Sequence, residues 1–200
     1  MELDPRTTDA YPFLSGIVTP RPIAWITTTS PAGIVNLAPY SFFNVFGHAP
    51  AIVAFSPNLK PDGSKKDTLR NIEANGEFVV NASVEALAEQ VNASSAVLAY
   101  DESEVEFTHL TTMPSAVVRP PRIVESPAHL ECVVRQIIPF GTHGGAPTLV
   151  IGEVVRLHIA DDCLGADGFP DPAKLKTIGR MGGTYWCRTS RGLFEQQRPC

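Results

Sequence analysis

The sequence predicts a mainly β fold, a β-barrel carrying short helical insertions. Three observations predict it: apolar, β-branched runs recur along most of the chain, hairpin turns separate several of them, and the helical patterns between them do not alternate with strands as βαβ units require. A chain of 200 residues that is 44% hydrophobic has enough apolar side chain for one domain with a substantial core.

The elements follow in order. Ile23 to Thr29 is rich in β-branched residues, and Ser30-Pro31-Ala32-Gly33 is a turn whose glycine can take a positive φ. Ile34 to Leu37 is then the returning strand. Ala51 to Ser56 is a continuous apolar run, as a strand covered on both faces should be, and Glu77 to Asn81 and Leu130 to Ile138 add two more. Thr148 to Ile159 is the longest strand expected. Asp67 to Asn75 reads as a helix with Leu69 and Ile72 on one face, Asp67 or Thr68 as its cap and Gly76 as its stop. Ser83 to Val91 reads as a second helix, capped by Ser83. Pro114, Pro120, Pro121 and Pro127 mark a long surface connection, and 165–172 marks another. The acidic run Asp101-Glu102-Ser103-Glu104 reads as a solvated helix start. Residues 1–15 form an N-terminal arm, 16–160 the barrel domain, and 161–200 a segment that completes the domain and supplies a subunit boundary.

Composition excludes several classes of function. A net charge of −5 argues against a general nucleic-acid binder, which concentrates Lys and Arg to replace counterions. No apolar run approaches the roughly 20 residues needed to span a bilayer, and no signal-peptide pattern opens the chain, so a soluble, cytoplasmic protein without membrane partners is expected. Cys132, Cys163, Cys187 and Cys200 are too scattered for a zinc knuckle or a redox dithiol, and Cys200 is expected to be mobile. His48, His109, His129, His143 and His158 show no metal-binding spacing and accompany no nucleophile motif, so neither a metal site nor a serine hydrolase is expected. His158, on a strand, reads as a structural histidine.

Two segments carry chemistry instead. Lys65-Lys66-Asp67-Thr68 places cations and a hydroxyl at a helix N-terminus, where unpaired N–H groups favour a phosphate. Asp67 would repel that phosphate, so it is assigned to capping, and the ligand to Lys66, Thr68 and the backbone. An ordinary capped surface helix fits the same residues. The stretch from Asn36 to Asn44 mixes small, polar and aromatic side chains, as a flat flavin ring needs apolar surface on one face and backbone N–H or carbonyl groups along its edge. Ala38 and Ser41 are small enough to let a ring approach. Trp25 reads as a ligand platform or as core, the more common place for a large aromatic in a strand. His143, within the glycine-rich 141–145 loop, is the candidate catalytic residue, since a mobile titratable group can reach over a ligand; an exposed turn residue is the other reading.

Taken together, Pro20-Arg21-Pro22-Ile23-Ala24-Trp25, the 36–44 stretch, Phe55-Ser56, Lys66-Asp67-Thr68-Leu69-Arg70-Asn71, Gly76 to Asn81 and Ile151 to Val155 resemble the flavin reductase-like family with the FMN-binding split barrel, in its flavoprotein oxygenase branch. The likeness runs from about Gly16 to Tyr185. It implies a homodimer that binds FMN noncovalently near the subunit boundary. By this resemblance Asn36, Ala38, Pro39, Tyr40 and Ser41 line the isoalloxazine, with Trp25 beside them. Ser56 lies toward the ribityl or phosphate end, Lys66 and Thr68 hold the phosphate next to Asp67, and Arg180 approaches from the partner chain. Relatives carry a basic residue soon after the Ser of the Phe-Ser pair. Here Pro57-Asn58 follows, which shifts the phosphate contacts toward Lys60, Lys65 or Lys66. The implied activity is NAD(P)H-dependent flavin reduction, with NADH or NADPH as donor and a possible oxygenase partner. A resident FMN acting on another small substrate and a noncatalytic FMN-binding electron carrier are the alternatives. A single phosphate seat favours FMN over FAD.

Overall fold

The computed structural model describes residues 1–197 and 199, so Cys200 lies outside the described residues. Its strands are β1 (Arg21–Pro22), β2 (Ala24–Thr29), β3 (Val35–Tyr40), β4 (Phe43–His48), β5 (Ala51–Phe55), β6 (Glu77–Ala82), β7 (Thr112–Met113), β8 (Arg122–Ile123), β9 (Ala128–Pro139), β10 (Thr148–Ile159), β11 (Ile178–Arg180) and β12 (Trp186–Arg188). Its helices are α1 (Tyr11–Ile17), α2 (Asp67–Asn75), α3 (Ala88–Ala93), α4 (Glu104–Phe107) and α5 (Pro172–Leu175). The main sheet has seven strands in the order β3-β2-β6-β9-β10-β5-β4, all antiparallel, and forms the split barrel. Its two edge strands, β3 and β4, are successive in the chain and joined through Ser41 and Phe42.

Alternation along β2 explains why that strand is buried on both faces. Ala24 and Ile26 point into the barrel core with Tyr40, Phe55, Phe78, Val80 and Val150, which α2 closes with Leu69 and Ile72. Ile23 and Trp25 point the other way, into a second cluster with Leu37, Val91, Val105 and Ile123. Helices α3 and α4 cover that outer cluster. The turn after β2 ends on Gly33 at φ +89°, the left-handed conformation expected there, and Gly76 stops α2 at φ +69°.

Three expectations about helix starts are corrected. Lys66, whose ammonium has no acceptor atom, is the N-cap of α2, and neither expected cap serves: the Asp67 carboxylate turns to Arg70 at 3.3 Å and Lys60 at 3.8 Å, and the Thr68 hydroxyl to Asn36 Oδ1 at 2.6 Å. Ser83 does not cap a helix: its Oγ donates to the Ile23 carbonyl at 3.1 Å, and the helix breaks into a 3₁₀ turn, Glu85–Leu87, followed by α3. Glu104, expected in solvent, is buried with 6% of its surface exposed. The connection through Pro114 to Pro127 is also more structured than expected, since β8 within it pairs with β7 just before it.

Gly152 on β10 is a close-approach glycine. A Cβ there would lie 2.5 Å from Phe78 Cζ, and the Phe78 ring is fully buried and has nowhere to retreat. Gly152→Ala is therefore expected to cost about 1–3 kcal/mol through overpacking, read as a lower urea midpoint with an unchanged slope.

Candidate functional site

A cleft of about 610 Å³ opens between the end of β3, the start of α2 and the segment after α3. That volume suits a small organic ligand. The fold brings Asn36, Ala38, Pro39, Tyr40, Lys66, Asp67 and Thr68 together on its wall. Ser41 and Arg180 line a smaller cleft of about 190 Å³, which shares Pro39 and Ser95 with the first. Arg180 reaches it within the same chain, its guanidinium 5.4 Å from the Trp186 ring centroid.

The remaining expected residues lie elsewhere. Trp25 is fully buried in the outer core and gives its indole N–H to Ser94 Oγ at 2.8 Å. Ser56 touches the site through Asn58, a wall residue, to which its hydroxyl donates at 3.1 Å. His143 is exposed and outside both clefts, with Nδ1 3.0 Å from the Gly144 carbonyl. Its loop does something different. Leu59 N–H donates to the Ala146 carbonyl at 2.9 Å, Gly145 N–H donates to the Leu59 carbonyl at 3.2 Å, and a Cβ on Gly144 would lie 2.1 Å from the Pro61 carbonyl oxygen. The glycines allow this loop to press against the 58–62 segment, which is cavity wall.

The three lysines separate. Lys65 is held by Glu73 and Lys60 faces Asp67, whereas Lys66 makes no ion pair among the described residues. Lys66 Nζ stands 5.5 Å from the centroid of the Tyr40 ring. Burial, helped by the nearby Lys60 charge, lowers the Lys66 ammonium below its ordinary value. Beside it the amides of Asp67, Thr68 and Leu69 have no backbone acceptor among the described residues; the first helical bond runs from Arg70 N–H to the Lys66 carbonyl at 3.1 Å.

Opposite lies a hydrogen-bonded wall that sequence reasoning missed. Glu104 accepts from Asn36 Nδ2 and from Leu37 N–H, each at 2.9 Å. Burial pushes the Glu104 carboxyl above its ordinary value, and these bonds pull it back. Thr68 Oγ1 is 2.6 Å from Asn36 Oδ1, and Tyr40 Oη is 2.8 Å from Thr68 Oγ1. Burial raises the Tyr40 phenol so far that it keeps its hydrogen. The Thr68 hydroxyl hydrogen is thus already spent, and what Thr68 offers a phosphate is its backbone amide.

Residues 16–173 match the model of the flavin reductase like domain. The chain belongs to the flavin reductase-like family. It is 46% identical over 204 residues to an uncharacterised protein of Halalkalibacterium halodurans, covering 100% of this chain and 97% of that one. Among solved structures, nitrilotriacetate monooxygenase component B from Bacillus cereus is 35% identical, with a TM-score of 0.90 over 100% of this chain and 98% of that one. The Pseudomonas fluorescens 2-nitrobenzoate 2-nitroreductase is 28% identical, with a TM-score of 0.88 over 100% and 96%. The family makes the chain a flavin-using oxidoreductase. No helix is long and apolar enough to cross a membrane, and no group of metal-binding side chains is present among the described residues.

Proposed function

We propose that this protein is an NAD(P)H-dependent flavin reductase that binds FMN in the larger cleft. The observation that carries the reading is Lys66, a half-buried ammonium without a carboxylate partner among the described residues, next to three helix amides without acceptors. A dianionic phosphate matches that set. FMN, when bound, supplies an acceptor for the hydride that NADH or NADPH gives up. The protein's own part is positioning. Lys66 and the amides of Asp67, Thr68 and Leu69 bind the phosphate, Lys60 adds a second positive charge, and Ala38 and Pro39 offer a ring a low apolar surface. Arg180 and Ser41 furnish polar groups to the adjoining cleft. No side-chain acid or base is required for hydride arrival.

The proposal extends to partners. Tyr11 and Phe42 meet edge to face at the surface, and Val45 and Phe46 on β4 are more than half exposed, an apolar surface suited to a second copy in a homodimer. The likeness to a monooxygenase component supports an oxygenase as recipient of reduced flavin.

Purified protein mixed anaerobically with FMN and NADH or NADPH should bleach the flavin absorbance catalytically; no bleaching with either donor refutes the reading. Lys66→Ala is expected to weaken FMN binding about tenfold or more while leaving riboflavin binding unchanged, because only the phosphate loses a charge-assisted partner. Fluorescence titration with both flavins checks this. The likeness to the nitroreductase favours a second reading, a resident FMN that reduces a small organic substrate. Flavin that stays with the protein through dialysis, with turnover of a nitroaromatic probe, would select it.

A further inference from the structure

The hydrogen bonds along the cavity wall can run in only one direction. They start at Glu104, whose carboxylate accepts and cannot donate. With the carboxylate ionised both oxygens only accept, from the Leu37 N–H and from the Asn36 amide, which turns the Asn36 nitrogen toward Glu104. Asn36 Oδ1 therefore faces the other way, accepting from Thr68 Oγ1 at 2.6 Å and from Thr28 Oγ1 at 3.3 Å. Thr68 has one hydroxyl hydrogen and has given it to Asn36, so in the 2.8 Å contact with Tyr40 the tyrosine is the donor. Asn36, Tyr40, Thr68 and Glu104 all line the cleft, yet neither hydroxyl has a hydrogen left for a ligand.

We infer that Glu104 is a positioning residue that acts through Asn36 to turn the Thr68 and Tyr40 hydroxyl hydrogens away from the bound phosphate, which keeps the flavin weakly held and exchangeable. The inference rests on the FMN reading above. It adds to that reading a reason for release: the anion is met by Lys66, Lys60 and backbone amides, while the Thr68 and Tyr40 hydroxyls offer only lone pairs and Glu104 a carboxylate. An enzyme that hands its flavin to an oxygenase needs such a wall.

Glu104→Gln keeps the shape and reverses the direction. Leu37 N–H is expected to hold the new amide oxygen at the Oε2 position, which puts the amide nitrogen at the Oε1 position, 2.9 Å from the Asn36 nitrogen, where two facing N–H donors repel and the Asn36 amide is expected to turn over. Thr68 now accepts from Asn36 and donates to Tyr40, and the Tyr40 hydrogen is released into the cleft. FMN and riboflavin, which differ only in the phosphate, are titrated by fluorescence into wild type, Tyr40→Phe, Glu104→Gln and the double variant. The FMN-to-riboflavin affinity ratio is expected to stay within about twofold of wild type in Tyr40→Phe, to rise about fivefold or more in Glu104→Gln, and to lose most of that gain in the double variant. A gain that survives in the double variant means that Glu104 acts by charge alone and overturns the inference. So does a ratio that drops in Tyr40→Phe. Should Glu104→Gln not fold, the Tyr40→Phe ratio still decides, supporting the inference if unchanged and overturning it if lower. Wild-type protein that binds neither flavin overturns the functional reading instead, and this inference falls with it.

Discussion

Glu131→Gln should cost about 3 kcal/mol of folding stability at neutral pH and remove the steepest part of the acid unfolding curve. Glu131 sits on β9 with no exposed surface, and its carboxylate accepts from the amides of Ala116 at 2.7 Å, Val117 at 2.7 Å and Val118 at 3.2 Å. His158 Nε2 lies 2.6 Å away on β10. Burial pushes this carboxyl up, but the three amides and the histidine together outweigh it and bring it from an ordinary 4.5 down to about 2. A folded value below the unfolded one means that the ionised group stabilises the native state. That stabilisation is complete above about pH 4.5 and is lost as the pH falls toward 2. A shift of this size corresponds to about 3 kcal/mol. With the carboxylate replaced by an amide, one N–H would confront the donors of the 116–118 loop, so the variant should melt earlier at neutral pH and show a flatter stability profile between about pH 4.5 and about pH 2. Urea midpoints at several pH values measure both; parallel profiles for wild type and variant would refute the assignment.

Gly144→Ala is expected to weaken FMN binding about tenfold or more, although residue 144 lines neither cleft. The added methyl meets the carbonyl of Pro61 at 2.1 Å, and backbone rather than a flexible side chain must give way. The segment forced to move carries Lys60, Pro61 and Asp62, all on the cavity wall. His143→Ala, one residue away, removes a ring whose hydrogen bond goes only to the Gly144 carbonyl and should leave flavin affinity unchanged. Fluorescence titration of the two variants separates the roles: equal losses would mean that the histidine, not the backbone approach, matters. A melting-temperature drop in Gly144→Ala corresponding to about 1–3 kcal/mol is expected alongside.

Most of the framework was legible because it obeys short-range rules. β2, β5, β6, β9 and β10 advertise themselves by β-branched composition, and α2 by Leu69 and Ile72 between a polar start and Gly76. β4 escaped, since Asn44, Val45 and Phe46 are exposed on an edge strand and show no buried periodicity. The cationic side of the cleft was also readable, as Lys66 and the helix start are neighbours in the chain. Glu104 was not. Nothing in Asp101-Glu102-Ser103-Glu104 distinguishes the last carboxylate from the first two, and its partner Asn36 is 68 residues away. Thr68 illustrates the same limit: its place at the helix start was evident, but the fold decides where its hydrogen goes. His143 drew attention by its loop composition, whereas the glycines around it serve backbone packing against Pro61.

β2 has a consequence for how the molecule comes apart. Alternate residues of one strand are committed to the barrel interior and to the outer cluster, so neither cluster can lose its order while the other keeps it. Melting is expected to be a single cooperative event, and a ligand that binds at the start of α2 should then protect the far side of the molecule as well as the near side.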